Sequence, residues 1–271
     1  MKKDDFDRYS LKSNFMRQII FRIDYKGVID IKDFVSHLSK YPQNQFKSYE
    51  PLSHNTIDFE VTKIDDISET LSIPVKEITK ENIHRFTNNS FGNDELILDI
   101  SKYFSILTIR CENYETIDNY REFFSSFAHQ LFAFEKFLSI KRFGLRKIGG
   151  KIFNSFEEIF NTFEKSIFNF DFSSSPYISQ KANYLDVLKS EKEFPIINYR
   201  RSIEKGIIRN TNTEAFQVIL DIDAFLLDEN LISDSLQQET FNELLKEINN
   251  DHLFNLFKLS VTEKFLEANK K

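Results

Sequence analysis

Positive charge is the sharpest chemical signal in the chain. "KRFGLRKIGGK" (141–151) holds Lys141, Arg142, Arg146, Lys147 and Lys151 without a single acid. "YRRSIEKGIIR" (199–209) adds Arg200, Arg201, Lys205 and Arg209 against one Glu204. Guanidinium forks grip phosphate or carboxylate through paired N–H groups. Lys141, Arg142, Arg146, Lys147, Lys151, Arg200, Arg201 and Arg209 are therefore the candidate binding set, for a nucleotide, a nucleic-acid backbone or an acidic protein partner. The competing reading is a solvated strand face whose cations pair with nearby Asp and Glu, worth only ~0–1 kcal/mol per exposed pair. The cationic reading needs the two stretches to lie side by side. Gly149–Gly150 would either let a ligand approach the backbone or form a tight turn like the one expected at Gly27.

Acids supply the second candidate. Asp221 and Asp223 lie two apart on an expected strand and so face the same way. With Asp228 and Glu229 they would offer hard oxygen ligands to a cation. The preferred reading is a solvent-facing acidic edge that deters aggregation. The five histidines, His37, His54, His84, His129 and His252, stand at no metal-ligand spacing with one another or with Cys111. His129 and His252 fall near the two expected long helices, where a polar contact or a helix-end charge suits them. A single cysteine excludes an internal disulfide and a cysteine-based zinc site, and its place after "SILTIR" suits a small apolar residue ending a strand. There is no GxSxG, HExxH, GxxxxGK[ST] or GxGxxG. No catalytic residue, metal or cofactor is assigned, and a hydrolase using Asp221, Asp223 and His252 is the residual enzymatic alternative.

These groups must be held by a fold, and composition bounds it. The 271 residues suit one large domain or two of about half that length. Hydrophobic residues make up 41% and charged residues 29%, a globular balance. Thirty Phe without one Trp admit an aromatic ligand platform, but aromatics scattered at core spacing are core. A net charge of −6 removes any global attraction to nucleic acid or anionic lipid. "MKKDDFDRYS" has no apolar run, and no stretch approaches the ~20 apolar residues of a membrane span, so a cytoplasmic protein with no membrane partner is expected.

Periodicity places the elements. "FMRQIIFRIDY" (15–25) reads as a strand, and "DIKDFVSHLSKY" as a helix capped by Asp30, with Ile31, Phe34, Val35 and Leu38 on one face. A loop is expected over 42–55 and a strand over 56–66, with further strands to Cys111. Ile117, Tyr120, Phe124, Phe127, Leu131, Phe134 and Leu138 form the stripe of a long helix over 115–138. The same order then recurs: strand and turn over 142–153, a helix over 155–168 with Ser155 and Glu158 as capping box, strands over 183–225, and a helical close over 237–267 interrupted at "NND". Offsets of about 124 at the first strand and 122 between the two "ILDI" stretches (97–100, 219–222) suggest duplication. The expected fold is α+β: two similar tandem repeats, each strand, helix, antiparallel strands and long helix, packed about a pseudo-twofold axis. The expected boundaries are a frayed 1–14, a first repeat over 15–140 and a second over 141–271.

"HRFTNNSFGNDELILDISKYFSI", "NYREFF", "IKRFGLRKIGG", "LDIDAF" and "DHLFNLFKLSVTEKF" together resemble a sporadically distributed family of uncharacterised bacterial proteins of similar length. That family carries a mid-chain "GLRYIN" motif, an "LDID" strand and a closing "LHxxIxxxFxxxIT" helix. Gly144, Leu145 and Arg146 match the first motif, whereas Lys147, Gly149 and Gly150 depart from it; His252, Phe257 and Thr262 fall close to the last. The patchy distribution implies carriage on mobile or defence-associated loci. The expected function is therefore a non-enzymatic interaction or regulatory protein, an immunity-type partner of another protein encoded by an adjacent gene in a defence or toxin–antitoxin locus. The alternative is nucleotide or nucleic-acid binding through 141–151 and 199–209.

Overall fold

A computed structural model describes residues 15–26, 31–40, 46–59, 75–91, 94–112, 114, 116–135, 137–168, 181–189 and 194–270, together with Lys3, Phe6 and Leu11. Its strands are β1 (Met16–Lys26), β2 (Ser48–Phe59), β3 (Val75–Phe91), β4 (Asp94–Ile100), β5 (Phe104–Arg110), β6 (Ser139–Phe153), β7 (Lys181–Lys189), β8 (Ile196–Ile208) and β9 (Thr213–Leu226). They join into one antiparallel sheet of nine, in the order β2-β3-β4-β5-β1-β6-β9-β8-β7. The helices are α1 (Ile31–Lys40), α2 (Asp118–Phe134), α3 (Phe156–Thr162), α4 (Glu229–Gln237), α5 (Phe241–Glu247), α6 (Phe254–Ser260) and α7 (Glu263–Ala268).

Alternation explains how the sheet takes its helices. In β1, Ile19, Phe21, Ile23 and Tyr25 are buried while Gln18, Ile20, Arg22 and Asp24 point the other way. The buried set packs with Phe34 of α1, with Tyr120, Phe124, Phe127 and Leu131 of α2, and with Ile232, Leu236, Phe241 and Leu245 of α4 and α5. A second cluster on the same face, including Phe153, Phe163, Val218, Phe265 and Leu266, seats α3 and α7. Ile20, Ile97, Ile106, Ile219 and Phe225, on the opposite face, belong to neither cluster. No described helix packs there.

The expected stripe of α2 is present from Ile117 to Leu131, all buried, but the helix stops at Phe134 because Glu135 turns extended, so Leu138 lies beyond it. Ser155 caps α3 by accepting from Glu158 N at 3.2 Å, and Glu158 reaches back to Asn154 N at 2.9 Å. α3 ends at Thr162, earlier than its apolar pattern suggests, since Phe163 pairs in extended form with Val261. "NND" does not break the closing helix: residues Ile248–Leu253 widen into a π-helical turn that joins α5 to α6 without a gap. The stretch read as a loop over 42–55 contains the first half of β2, where Pro51 is tolerated because β2 is an edge strand. Gly27 and the Asp30 cap lie outside the described residues. Of the expected frayed segment 1–14, the described residues are Lys3, which bonds Glu164, Phe6, 3% exposed in the second cluster, and Leu11, which bridges Lys270; the rest lies outside the described residues.

Both expected repeats contribute to the single sheet, which they share through the β1–β6 pair. Outward from that pair run four strands on one side and three on the other. The matching "ILDI" stretches occupy different places: β4 is separated from β1 by β5, whereas β9 lies directly against β6.

Candidate functional site

The two cationic stretches are not neighbours. β9 runs between β6 and β8, and it carries Asp221 and Asp223 into the gap. Register then divides the candidate cations between the two faces. Arg142, Arg146 and Arg200 share the face on which no described helix packs with Arg22, Asp24, Asp221 and Asp223. Lys147, Lys151 and Arg201 belong to the helix-bearing face, where they pair across the sheet with Ile222, Val218 and Leu220. Lys141 sits at the bulge between Asp24 and Tyr25 of the β1–β6 register, and Arg209 is exposed in the β8–β9 turn. Three of the eight candidates therefore lie together in a mixed array with β1 and β9 carboxylates.

That array consists of two ion-pair clusters, with the charge of Asp223 also felt by Arg146. Arg22 Nε donates to Asp24 at 2.7 Å; Arg142 lies 3.6 Å from Asp24, 3.3 Å from Asp223 and face-on to the Phe225 ring at 4.6 Å. Arg146 donates both arms of its fork to Asp221, at 2.7 and 2.6 Å. This bond to Asp221 raises the Arg146 pKa further, so the cation is permanent. Arg200 stands 4.0 Å from the same carboxylate. Farther along the face, Arg85 makes an equivalent fork to Asp99, at 2.7 and 2.8 Å. Beside these polar groups, Leu185 and Val187 of β7 and Ile152 of β6 are 54%, 66% and 56% exposed. A groove of about 300 Å³ opens over β7, β8 and β9 next to Arg200.

The remaining expected chemistry resolves into structure. Asp221 is 7% exposed on an internal strand, so the acidic edge is corrected to a buried carboxylate neutralised by arginine. Asp228 caps α4 by accepting from Asn230 N and Leu231 N at 3.0 Å, and Glu229 takes Lys141 at 2.6 Å. Among the described residues no group of three or more His, Cys, Asp or Glu is placed to hold a metal ion. Gly149–Gly150 is neither turn nor phosphate loop. It lies within β6, where Phe15 O accepts from Gly150 N at 2.8 Å and a register shift displaces Arg17. Lys151 stacks on Phe15 and Phe153, and Arg201 pairs with Asp186 while donating to Ile167 O. Burial pushes the Cys111 thiol up to about 12, with Asp94 adding to the effect, so it holds almost no nucleophilic thiolate at neutral pH.

His129 Nδ1 bonds Ser125 O at 2.7 Å within α2, and His252 lies in the π turn; they do not form a catalytic pair with the aspartates of the opposite face. Composition did not single out His84. It is buried on β3, shares a 2.8 Å hydrogen bond with the Tyr49 hydroxyl, and its Nε2 meets no polar partner among the described residues. Burial, then the Lys32 charge, lowers its pKa below the ordinary 6.5. The unfolded chain therefore binds a proton near pH 6.5 that the folded chain refuses, and stability falls as pH drops below that value. Thermal unfolding at pH 7.5 and 5.5 should show a steeper loss for wild type than for His84→Gln. Parallel losses would contradict this.

No family model, curated protein or solved structure matches the chain. No described helix is long and apolar enough to cross a membrane. Fold and site together define an α+β protein with a single antiparallel sheet, helices on one face, and a mixed charged and apolar surface on the other.

Proposed function

We propose that the chain is a non-enzymatic interaction protein, and that the sheet face on which no described helix packs is where another protein docks. The observation that carries this is the pairing of exposed Leu185, Val187 and Ile152 with an arginine–carboxylate array on one face of the sheet. Interfaces are built from apolar and arginine anchors inside a polar rim. The resemblance to a patchily distributed bacterial family supports a partner encoded nearby and an immunity-type or regulatory role in a defence or toxin–antitoxin locus. We also read the two segments as copies of one ancestor. The sequence offset of 124 coincides with the register pair Phe21↔Leu145 at the centre of β1–β6, where a twofold axis would pass. Soluble, cytoplasmic residence belongs to the same reading.

Nucleotide or nucleic-acid binding through 141–151 and 199–209 has weaker support. Asp221, Asp223, Glu229 and Asp186 already engage Arg146, Arg142, Lys141 and Arg201, and a phosphate backbone would have to displace them. Affinity purification of the tagged protein from its native cells tests the two readings together. Wild type should retain one stoichiometric protein partner, and Leu185→Ser with Val187→Ser should lose it at least tenfold, while heparin retention stays low for both. A partner held equally by the variant, or strong salt-sensitive heparin binding, would overturn the docking reading.

A further inference from the structure

Arg200 is the cation that the array leaves over. Both Asp221 oxygens accept from Arg146, so Arg200 at 4.0 Å adds only a long contact. Among the described residues of the central row, Arg22, Arg142, Arg146 and Arg200 stand against Asp24, Asp221 and Asp223, four cations to three anions. The excess falls on Arg200, whose side chain is 51% exposed, compared with 24% for Arg142 and 33% for Arg146.

The surroundings of Arg200 narrow what it would take. Its groove, about 300 Å³, is also lined by Asn183, Ser202, Leu185 and Ile219. An amide and a hydroxyl supply neutral donors beside the guanidinium, and two aliphatic side chains supply apolar walls. The volume is at the lower bound for ligand pockets. Asp221 is already neutralised by Arg146, so the place holds one surplus positive charge; a phosphate dianion would be only half compensated there, whereas one monoanionic carboxylate on a short aliphatic stem matches both that charge and the walls.

We propose that Arg200 captures an Asp or Glu side chain from an acidic segment of the docking protein, with apolar neighbours of that residue lying over Leu185 and Val187. This rests on the docking reading above and names the partner's chemistry. In an acidic protein the local positive charge selects register more than it speeds encounter.

Nitrogen-15-labelled full-length protein titrated with N-acetyl-Leu-Glu-Leu-amide tests it, following the arginine Nε–H resonances. The Arg200 signal, assigned by its loss in Arg200→Gln, should shift saturably. The Leu-Gln-Leu peptide should bind at least about tenfold more weakly, and Arg200→Lys should weaken binding by losing the fork while keeping the charge. Equal response to the Gln peptide, tripeptide binding retained in Arg200→Gln, or tighter binding of inorganic phosphate than of the tripeptide would each overturn the proposal. Purification from native cells separates its failure from that of the docking reading. A partner kept by Arg200→Gln but lost by the Leu185→Ser, Val187→Ser variant sinks the carboxylate proposal alone. A partner kept by both sinks the docking reading.

Discussion

Phe124→Ala should lower unfolding free energy by about 3–5 kcal/mol, a large part of the 5–15 kcal/mol that holds a typical domain. Phe124 is fully buried in α2, stacked 4.9 Å from Phe21 of β1 and near Phe127 and Phe143 at 6.0 and 6.3 Å. It thus sits over the β1–β6 seam through which the two segments share one sheet. Truncation removes the apolar transfer energy and leaves a cavity that a sheet on one side and a helix on the other resist closing. Urea unfolding followed by far-ultraviolet circular dichroism is the suitable readout, because the chain has no Trp. Phe124→Leu should cost less. A Phe21/Phe124 double-mutant cycle should return a coupling of about 0.5–1.5 kcal/mol. A loss from Phe124→Ala of under about 1 kcal/mol, or zero coupling, would place the core elsewhere.

The second large effect is asymmetric. Arg146→Ala should destabilise by about 2–4 kcal/mol, because it strands the buried Asp221 carboxylate with only Arg200 at 4.0 Å. Asp221→Ala should cost less, about 1–2 kcal/mol, since the Arg146 side chain is one-third exposed and water can take its fork. Replacing both, as Arg146→Met with Asp221→Leu, should recover much of the loss, because removing a partly buried ion pair whole is far less costly than breaking it. Thermal or urea unfolding of the three variants checks the order. A double variant as unstable as Arg146→Ala would show that the array does more than neutralise its own charges.

Helical periodicity was the most legible part of this sequence. The α2 stripe from Ile117 to Leu131 and the Ser155–Glu158 cap are local features, so three- and four-residue spacing and one hydrogen bond suffice to announce them. Helix ends were harder to read. Phe134 and Leu138 continue the spacing, yet the chain leaves the helix at Glu135 to enter β6, a choice made by sheet pairing. The π turn at Ile248–Leu253 looked like a break because "INNDHL" is polar, but α5 and α6 on either side keep it helical through their packing.

The candidate site was legible residue by residue but not as a surface. Lys141 to Lys151 and Tyr199 to Arg209 are each dense in cations, and alternation alone shows that neighbours such as Arg146 and Lys147, or Arg200 and Arg201, point to opposite faces. What no local pattern supplies is strand order. Placing β9 between β6 and β8 brings Asp221 and Asp223 against Arg146 and Arg142, and this non-local choice turns an apparent cationic patch into a nearly neutral array. The setting of His84 was illegible for the same reason, since its burial and its Tyr49 partner arise from β2–β3 pairing.

The most direct test of docking on the face without described helices is site-specific photocrosslinking in native cells. A photoreactive residue at Val187, exposed on that face, is compared with one at Leu259, exposed on the helical layer. The proposal predicts a discrete covalent adduct to one protein from position 187 and none from position 259. An adduct from position 259 with none from position 187 would put the partner on the helices and contradict it.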